Sequence, residues 1–325
     1  MTESLTTRAI VTGERGGRRS ERRPPRRAGR RSPMRGPWFA IAFLAPLLAF
    51  YAIYFVYGFA VLGVVSTQRV GLTFQNALDV GFQNFELVLT DPSFLRSIIN
   101  TVAFGLFSVF VALTLGFILA MMMASGVRAR QWFYAVFLLP SLIPMALFAT
   151  VFGRMLETRD GAINEGLRTI GLGFLAQDWL GDPTSAYIGV LVLFVFTIGL
   201  PIMYYTTDVS QVNGSLIESA TLDGASVWQI YRIMLWPLLK STHITVILSV
   251  LLGIFRAFDI IYFSTGGQPG GRTDITGTYV YKATLGLDRV GFAAAAAIIV
   301  LLIALIISII QIVIRRRIDA HGNHG

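Results

Sequence analysis

The chain has 325 residues, of which 54% are hydrophobic and only 14% charged. That balance belongs to membrane proteins and excludes an ordinary soluble enzyme core. There is no cysteine, which rules out disulfides and thiolate metal sites. The three histidines (His243, His321, His324) do not have metal-ligand spacing.

In chain order, residues 1–37 come first, with eleven of the arginines against three glutamates. A basic Pro/Gly-rich stretch cannot bury a core, so a disordered tail is expected there. Beside a membrane span it reads as an anchor on anionic lipid rather than as a nucleic-acid arm.

Runs free of charged residues follow at 36–68, 97–127, 131–153, 183–207 and 290–314. A sixth, 241–263, is interrupted only by Arg256 and Asp259. About 20 apolar residues carry a helix across a bilayer. Spans are therefore expected at 38–65, 98–123, 131–153, 185–207, 241–263 and 290–314. The fold class is an all-α membrane protein of six transmembrane helices over residues 38–318, with a short tail at 319–325. Pro46, Pro140, Pro144 and Pro201 fall inside these spans, where proline kinks a helix. The Gly-rich STGGQPGG at 264–271 must be an outside loop.

Cytoplasmic segments of membrane proteins carry an excess of Lys and Arg. With a cytoplasmic N-terminus, eighteen of the 27 cations fall inside, eight fall outside, and Arg256 lies within a span. Both termini are thus expected in the cytoplasm, and so is the loop at 208–237.

That loop contains ESATLDGASVWQIYRIMLWP at 218–237. Ser215 and Glu218 have the S-x-x-E spacing of a capping box. Asp223-Gly224 supplies a turn, with glycine free to take positive φ. Ser226 and Gln229 repeat the box as S-x-x-Q, and Val227, Ile230, Tyr231 and Met234 follow at helical spacing. Pro237 closes the segment. The prediction is two short capped helices joined by a glycine turn. With only Arg232 and Lys240 to meet phosphates, the loop makes a poor DNA reader. A self-contained lid packed on the membrane surface and a docking knob for a cytoplasmic partner are the other two readings.

Glu218-Ser219-Ala220, three residues, Gly224, nine residues and then Met234-Leu235-Trp236-Pro237 resemble the EAA loop of binding-protein-dependent ABC importer permeases. The family pattern is E-A-A-x3-G-x9-I-x-L-P. Ser219, Met234 and Trp236 depart from it but keep the apolar face. The resemblance implies the MetI-like fold and a bacterial plasma (inner) membrane location. It also implies a coupling loop in which Glu218, Ala220, Asp223, Gly224 and Pro237 meet a cytoplasmic ATPase. For Glu218, helix capping alone would also explain the residue. The implied partners are a second homologous permease, two ATPase subunits and an extracytoplasmic solute-binding protein. No cofactor, metal or catalytic residue is implied.

A second stretch is similar to the F-Q-x-F-D-x-x-Y-x-x-T-G-G-G-P run of carbohydrate permeases of the maltose and glycerol-phosphate type. It comprises Phe255-Arg256-Ala257-Phe258-Asp259, Tyr262 and Thr265-Gly266-Gly267-Gln268-Pro269. FQNFELVLTDPSFLRSIINT at 82–101 also looks like the segment before that family's second span. A sugar or sugar derivative is the implied cargo, and Phe255, Arg256, Phe258, Asp259 and Tyr262 are candidates for its path. Arg256 stands where the pattern has Gln. A charge inside a span is costly and faces a partner or a wet cavity. Either Arg256 pairs with Asp259, or the two line the pathway and favour an anionic sugar.

The chain lacks the Gly-Lys-Ser/Thr of a P-loop: its two lysines follow Leu239 and Tyr281. ATP hydrolysis therefore has to come from another subunit. The competing expectations are an importer permease for another solute, such as polyamine or phosphate, and an ion-coupled secondary transporter with Asp259 as its acidic group.

Overall fold

A computed structural model describes residues 37–124 and 130–322. The Arg-rich tail before Pro37, Arg128 and His324 lie outside these residues. Close packing divides the chain into two units, Met1–Val56 and Tyr57–Gly325.

The first unit contributes most of α1 (Pro37–Ser66), a single apolar helix that carries Pro46 within it. The span Ile41–Ser66 buries none of its most apolar window.

In the second unit, a two-residue antiparallel ladder follows α1. It joins β1 (Gln68–Arg69) to β2 (Leu78–Asp79), with Gln68 opposite Asp79. Buried Asn84, on α2 (Gln83–Thr90), donates to the Ser66 and Gln68 carbonyls at 2.9 Å each, which satisfies the backbone where α1 ends. α3 (Pro92–Val111) opens with Asp91 accepting the Ser93 amide at 2.8 Å and Pro92 in the first turn. A π-helical turn, Ala112–Gly116, carries it into α4 (Phe117–Ala124). Together these form one 33-residue span, Pro92–Ala124.

The third predicted span is not straight. α5 (Arg130–Leu142) and α6 (Met145–Met155) meet at 114°. Pro144 sits extended at the break, with ψ 128. Proline lacks the amide that would continue the ladder and pushes the residue before it out of the α region. Pro140, by contrast, stays within α5.

The stretch after α6 holds α7 (Ala162–Thr169) and a 3-10 turn, Gly173–Leu175. It is organised around Asn164, which is 1% exposed. Its amide donates to the carbonyls of Thr158 (3.0 Å) and Gln177 (2.9 Å), and its oxygen accepts the Trp179 indole N–H at 2.7 Å. Asp178 accepts the Thr158 hydroxyl at 2.7 Å and the Gly181 amide at 2.9 Å. Those bonds, the Thr158 hydroxyl first, hold the Asp178 carboxyl below the usual carboxylate range. A carboxyl depressed in the folded state adds stability above its unfolded value, near 3.9, and loses it as pH falls through the folded value. The Asp178 contribution to the loop is therefore expected to be complete at neutral pH and to fade only below about pH 4. Thr158→Val removes the largest of those bonds and should bring the acid-induced change in Trp179 fluorescence to higher pH.

α8 (Pro183–Val195), capped by Asp182, passes through a 3-10 turn, Phe196–Ile198, into α9 (Gly199–Val209). The turn lies just ahead of Pro201, where the missing amide loosens the ladder. Then come α10 (Gly214–Leu222), α11 (Val227–Gln229), a π-helical turn Ile230–Leu235 and α12 (Trp236–Leu238). α13 (Lys240–Ile254) leaves them at 71°. α14 (Phe258–Ser264), α15 (Thr276–Tyr281), a π-helical turn Lys282–Gly286 and α16 (Val290–Gly322) complete the chain. α16 stays helical past 314, through the first residues of the expected tail.

Among the described residues, four helices are long and apolar enough to cross a membrane, and six if each bent pair counts as one span. The predicted fifth span at 241–263 is two helices, because Arg256 and Ala257 turn back to the carbonyls of Gly253 and Ile254 between α13 and α14.

Between spans, lipid is as apolar as the side chains, so close packing and hydrogen bonds bring the helices together. Glycines permit the approach. A methyl added at Gly105 would stand 3.3 Å from Ile254, and one at Gly116 would stand 3.3 Å from Pro201.

Candidate functional site

The loop between α9 and α13 is built locally. Asn213, rather than Ser215, caps α10: its side-chain oxygen accepts the Ser215 amide at 3.1 Å. Ser215 is thus inside the first turn, and the predicted Ser215–Glu218 box does not form. Asn is as good a cap as Ser and lies two residues earlier, so the helix starts there. Glu218 is exposed and, among the described residues, makes no hydrogen bond or ion pair. Capping does not account for it.

α10 ends in a Schellman motif. Gly224 has φ +84, its amide donates to Thr221 O (3.1 Å), and the Ala225 amide donates to Ala220 O (3.0 Å). The Ser226–Gln229 box forms as predicted: the Ser226 amide donates to Gln229 Oε1 at 2.7 Å, and the Gln229 amide to Ser226 Oγ at 3.3 Å. Pro237 lies in the first turn of α12, and the break into α13 falls at Leu239.

One face of the loop is buried. Ile230 and Leu235 join Ala120, Met121, Tyr205, Val209 and Val246 in a single cluster, with Ala220, Ala225 and Met234 at its edge. The other face is open and apolar: Leu222 is 88% exposed and Ile233 70%. Ala220, Asp223, Gly224, Gln229, Ile233 and Met234 border a cavity of about 370 Å³ between the two halves of the loop. Large apolar side chains gathered in the open are the kind of patch that contact surfaces are made of.

The loop's root runs through His243, which the sequence reading left without a partner. Its Nε2 lies 2.9 Å from the Trp236 carbonyl and its Nδ1 2.7 Å from the Tyr205 hydroxyl. A carbonyl cannot donate, so Nε2 carries the proton; in the neutral ring Nδ1 then accepts the Tyr205 O–H. The Trp236 ring lies 4.1 Å from the imidazole and edge-on to Phe117 at 4.9 Å. Beside it, Thr242 donates to Asp208 at 2.5 Å. α4, α9, α12 and α13 are thus fastened at one node. Nothing in the sequence marked Tyr205 or Asp208 as partners, because they lie more than thirty residues away.

The other candidates sit around the break between α13 and α14. Phe258 stacks on Tyr262, with ring centroids 5.0 Å apart and planes 18° apart. Tyr281, which sequence reasoning missed, meets the Tyr262 hydroxyl at 3.1 Å. Phe255 packs against the cluster of Phe104, Phe194 and Ile261. Arg256 is exposed and Asp259 half-buried, and they do not pair; among the described residues the ion pairs are Arg154–Glu157, Arg168–Glu165 and Lys282–Asp274. The expected shared face needed a continuous helix, and the turn at 255–257 interrupts it. The Gly-rich loop beyond α14 is held by Asn100, which donates to the carbonyls of Arg272 (2.9 Å) and Asp274 (2.8 Å), and by Lys282 on both Asp274 oxygens.

A knob of capped helices rooted in several apolar spans is the architecture of a transporter's membrane component. The family described as binding-protein-dependent transport system inner membrane component matches residues 112–320, and the chain belongs to that family. It is 29% identical over 237 residues to a probable ABC transporter permease protein, YurN, of Bacillus subtilis, covering 72% of this chain and 81% of that one. It is 26% identical to the multiple sugar-binding transport system permease protein MsmF of Streptococcus mutans, covering 78% and 86%. Its fold is similar to a chain in the crystal structure of a bacterial ABC transporter for import of the acidic polysaccharide alginate. The TM-score is 0.73 at 24% identity, over 86% of this chain and 96% of that one.

Proposed function

We propose that this chain is the permease subunit of an ATP-driven importer that moves a sugar or sugar derivative into the cytoplasm by alternating access. The observation that carries it is the loop 213–239: a capped knob with an apolar outer face and a Glu218 unpaired among the described residues, fastened through His243 to three spans. Such a knob suits a partner whose closure has to be passed to the helices. With no P-loop lysine of its own, the chain takes that work from two separate ATPase subunits, beside a second homologous permease and a solute-binding protein. The loop and both termini face the cytoplasm, in keeping with the Lys/Arg distribution. The cargo class follows from the T-G-G-x-P run and from the sugar systems named among the relatives.

The path runs past the Phe258–Tyr262–Tyr281 cluster, whose ring faces suit sugar C–H groups. Arg256, next but one to Phe258 in the chain, makes no ion pair among the described residues and suits a carboxylate, to which guanidinium binds through two parallel hydrogen bonds. Arg256→Gln should therefore shift uptake from acidic toward neutral sugars by roughly tenfold, the worth of one charge-assisted hydrogen bond. Uptake of neutral and anionic sugars unchanged by the substitution removes Arg256 from the path. The function itself is tested by purifying the tagged chain from its own membrane. A bound ATPase subunit supports the reading, and proton-driven uptake by the chain alone contradicts it.

A further inference from the structure

A second cavity lies against the root of the loop. Its volume is about 590 Å³, well within the range of small-molecule sites. One wall is the last turns of the span Pro92–Ala124, through Phe117, Ile118 and Met121. The opposite wall is the loop, through Trp228, Arg232 and Trp236. The lining is almost wholly apolar. Of its two hydroxyl-bearing residues, Thr114 and Tyr231, the first is already committed to the Phe110 carbonyl at 2.7 Å. Arg232 makes no ion pair among the described residues.

This chemistry selects the occupant. A polypeptide seated here would bring backbone amides as well as carbonyls, and the lining side chains, rich in donors (two indoles, a guanidinium, a phenol), offer the amides almost no acceptor. An acyl chain brings no amides. Two indoles and a cation at the end of a membrane span form the pattern of the bilayer interface, where aromatic rings lie at headgroup level and basic groups hold lipid phosphates. We propose that the cavity binds one anionic phospholipid from the leaflet on the loop's side. The acyl chain lies on Phe117, Ile118 and Met121, and the phosphate meets Arg232. Trp228 and Trp236 flank the glycerol region. Because Trp236 is also held by His243, the lipid braces the loop against α4 and tunes how firmly its motion is passed on. This last step rests on the coupling function proposed above; the lipid site does not.

The test uses the assembled transporter, in nanodiscs of phosphatidylcholine with phosphatidylglycerol. Lipid retained after detergent washing is counted by native mass spectrometry. The wild type should keep one phosphatidylglycerol per copy of this chain. Arg232→Gln should lose the preference for phosphatidylglycerol over phosphatidylcholine by roughly tenfold, the loss of one charge-assisted contact. Ile118→Trp, which fills the cavity from an exposed position, should keep neither lipid. Equal retention by all three proteins, or none by the wild type, overturns the site. Where a variant does not assemble, a photo-crosslinking residue at position 118 decides. A lipid adduct supports the proposal, and an adduct to another subunit or to another part of this chain overturns it. The co-purifying ATPase is scored in the same sample. Its presence without retained lipid removes only the lipid site, and its absence removes the coupling function.

Discussion

Gly224→Val is expected to abolish uptake while the protein still inserts and keeps its spans. Gly224 has φ +84, and a side chain there would meet nothing within 4 Å. The objection is therefore from the backbone alone. An L-residue in the left-handed region costs about 1–2 kcal/mol, and a β-branched one is a clear outlier. The Schellman bonds from Gly224 and Ala225 depend on that conformation. Once they open, α10 and α11 lose their fixed angle, and Glu218, Asp223 and Leu222 no longer share one surface. ATPase subunits should co-purify at one-tenth of the wild-type level or less, since 1.4 kcal/mol is about tenfold in an equilibrium. Gly224→Asn tolerates positive φ and should keep most of the binding. Equal loss in both variants would mean that an added side chain blocks the contact and that the turn is not what matters.

His243→Leu should produce a different defect. The loop's outer face is untouched, so the ATPase still binds and hydrolyses ATP. The Tyr205 hydroxyl, on a fully buried residue, loses its acceptor, and a buried polar group without a partner costs about 1–3 kcal/mol. The link from Trp236 to α9 breaks with it. Uptake should fall at least tenfold while ATP hydrolysis stays within about twofold, an uncoupled transporter. His243→Gln can accept from Tyr205 and donate to Trp236 at once, so it should recover part of the uptake. Parallel loss of hydrolysis and uptake would mean that the ring serves only to keep the protein folded.

The two defects differ because they fall on different levels of the same construction. Gly224 acts through local backbone geometry, and that level was legible in the sequence: the glycine turn and the Ser226–Gln229 box needed no information beyond five neighbouring residues. Even there, a competitor decided one case. Asn213 stood ahead of Ser215 and took the cap, leaving Glu218 free. The apolar runs also translated into helices, since a stretch such as 290–314 has no other way to satisfy its backbone in lipid.

What escaped was tertiary. Pro144 was visible as a kink, but a 114° break depends on what α6 packs against. α6 lies on α14, and Gly153 lets it approach: a methyl added there would stand 3.3 Å from the Ser264 carbonyl. The break at 255–257 carries no proline, and periodicity through Arg256 and Asp259 read as one helix. Their expected pairing failed with that helix. His243 illustrates the same limit. A lone histidine at the start of an apolar run has no local partner, and its two hydrogen bonds come from a carbonyl seven residues back and a tyrosine thirty-eight residues away.

The central claim is that ATP hydrolysed on another subunit drives this one through the loop 213–239. Proteoliposomes holding the purified complex, loaded with ATP and given substrate-charged binding protein outside, test it most directly. The account predicts uptake that requires ATP, survives a protonophore and disappears with Gly224→Val. Uptake that needs no ATP and collapses with the proton gradient would contradict it.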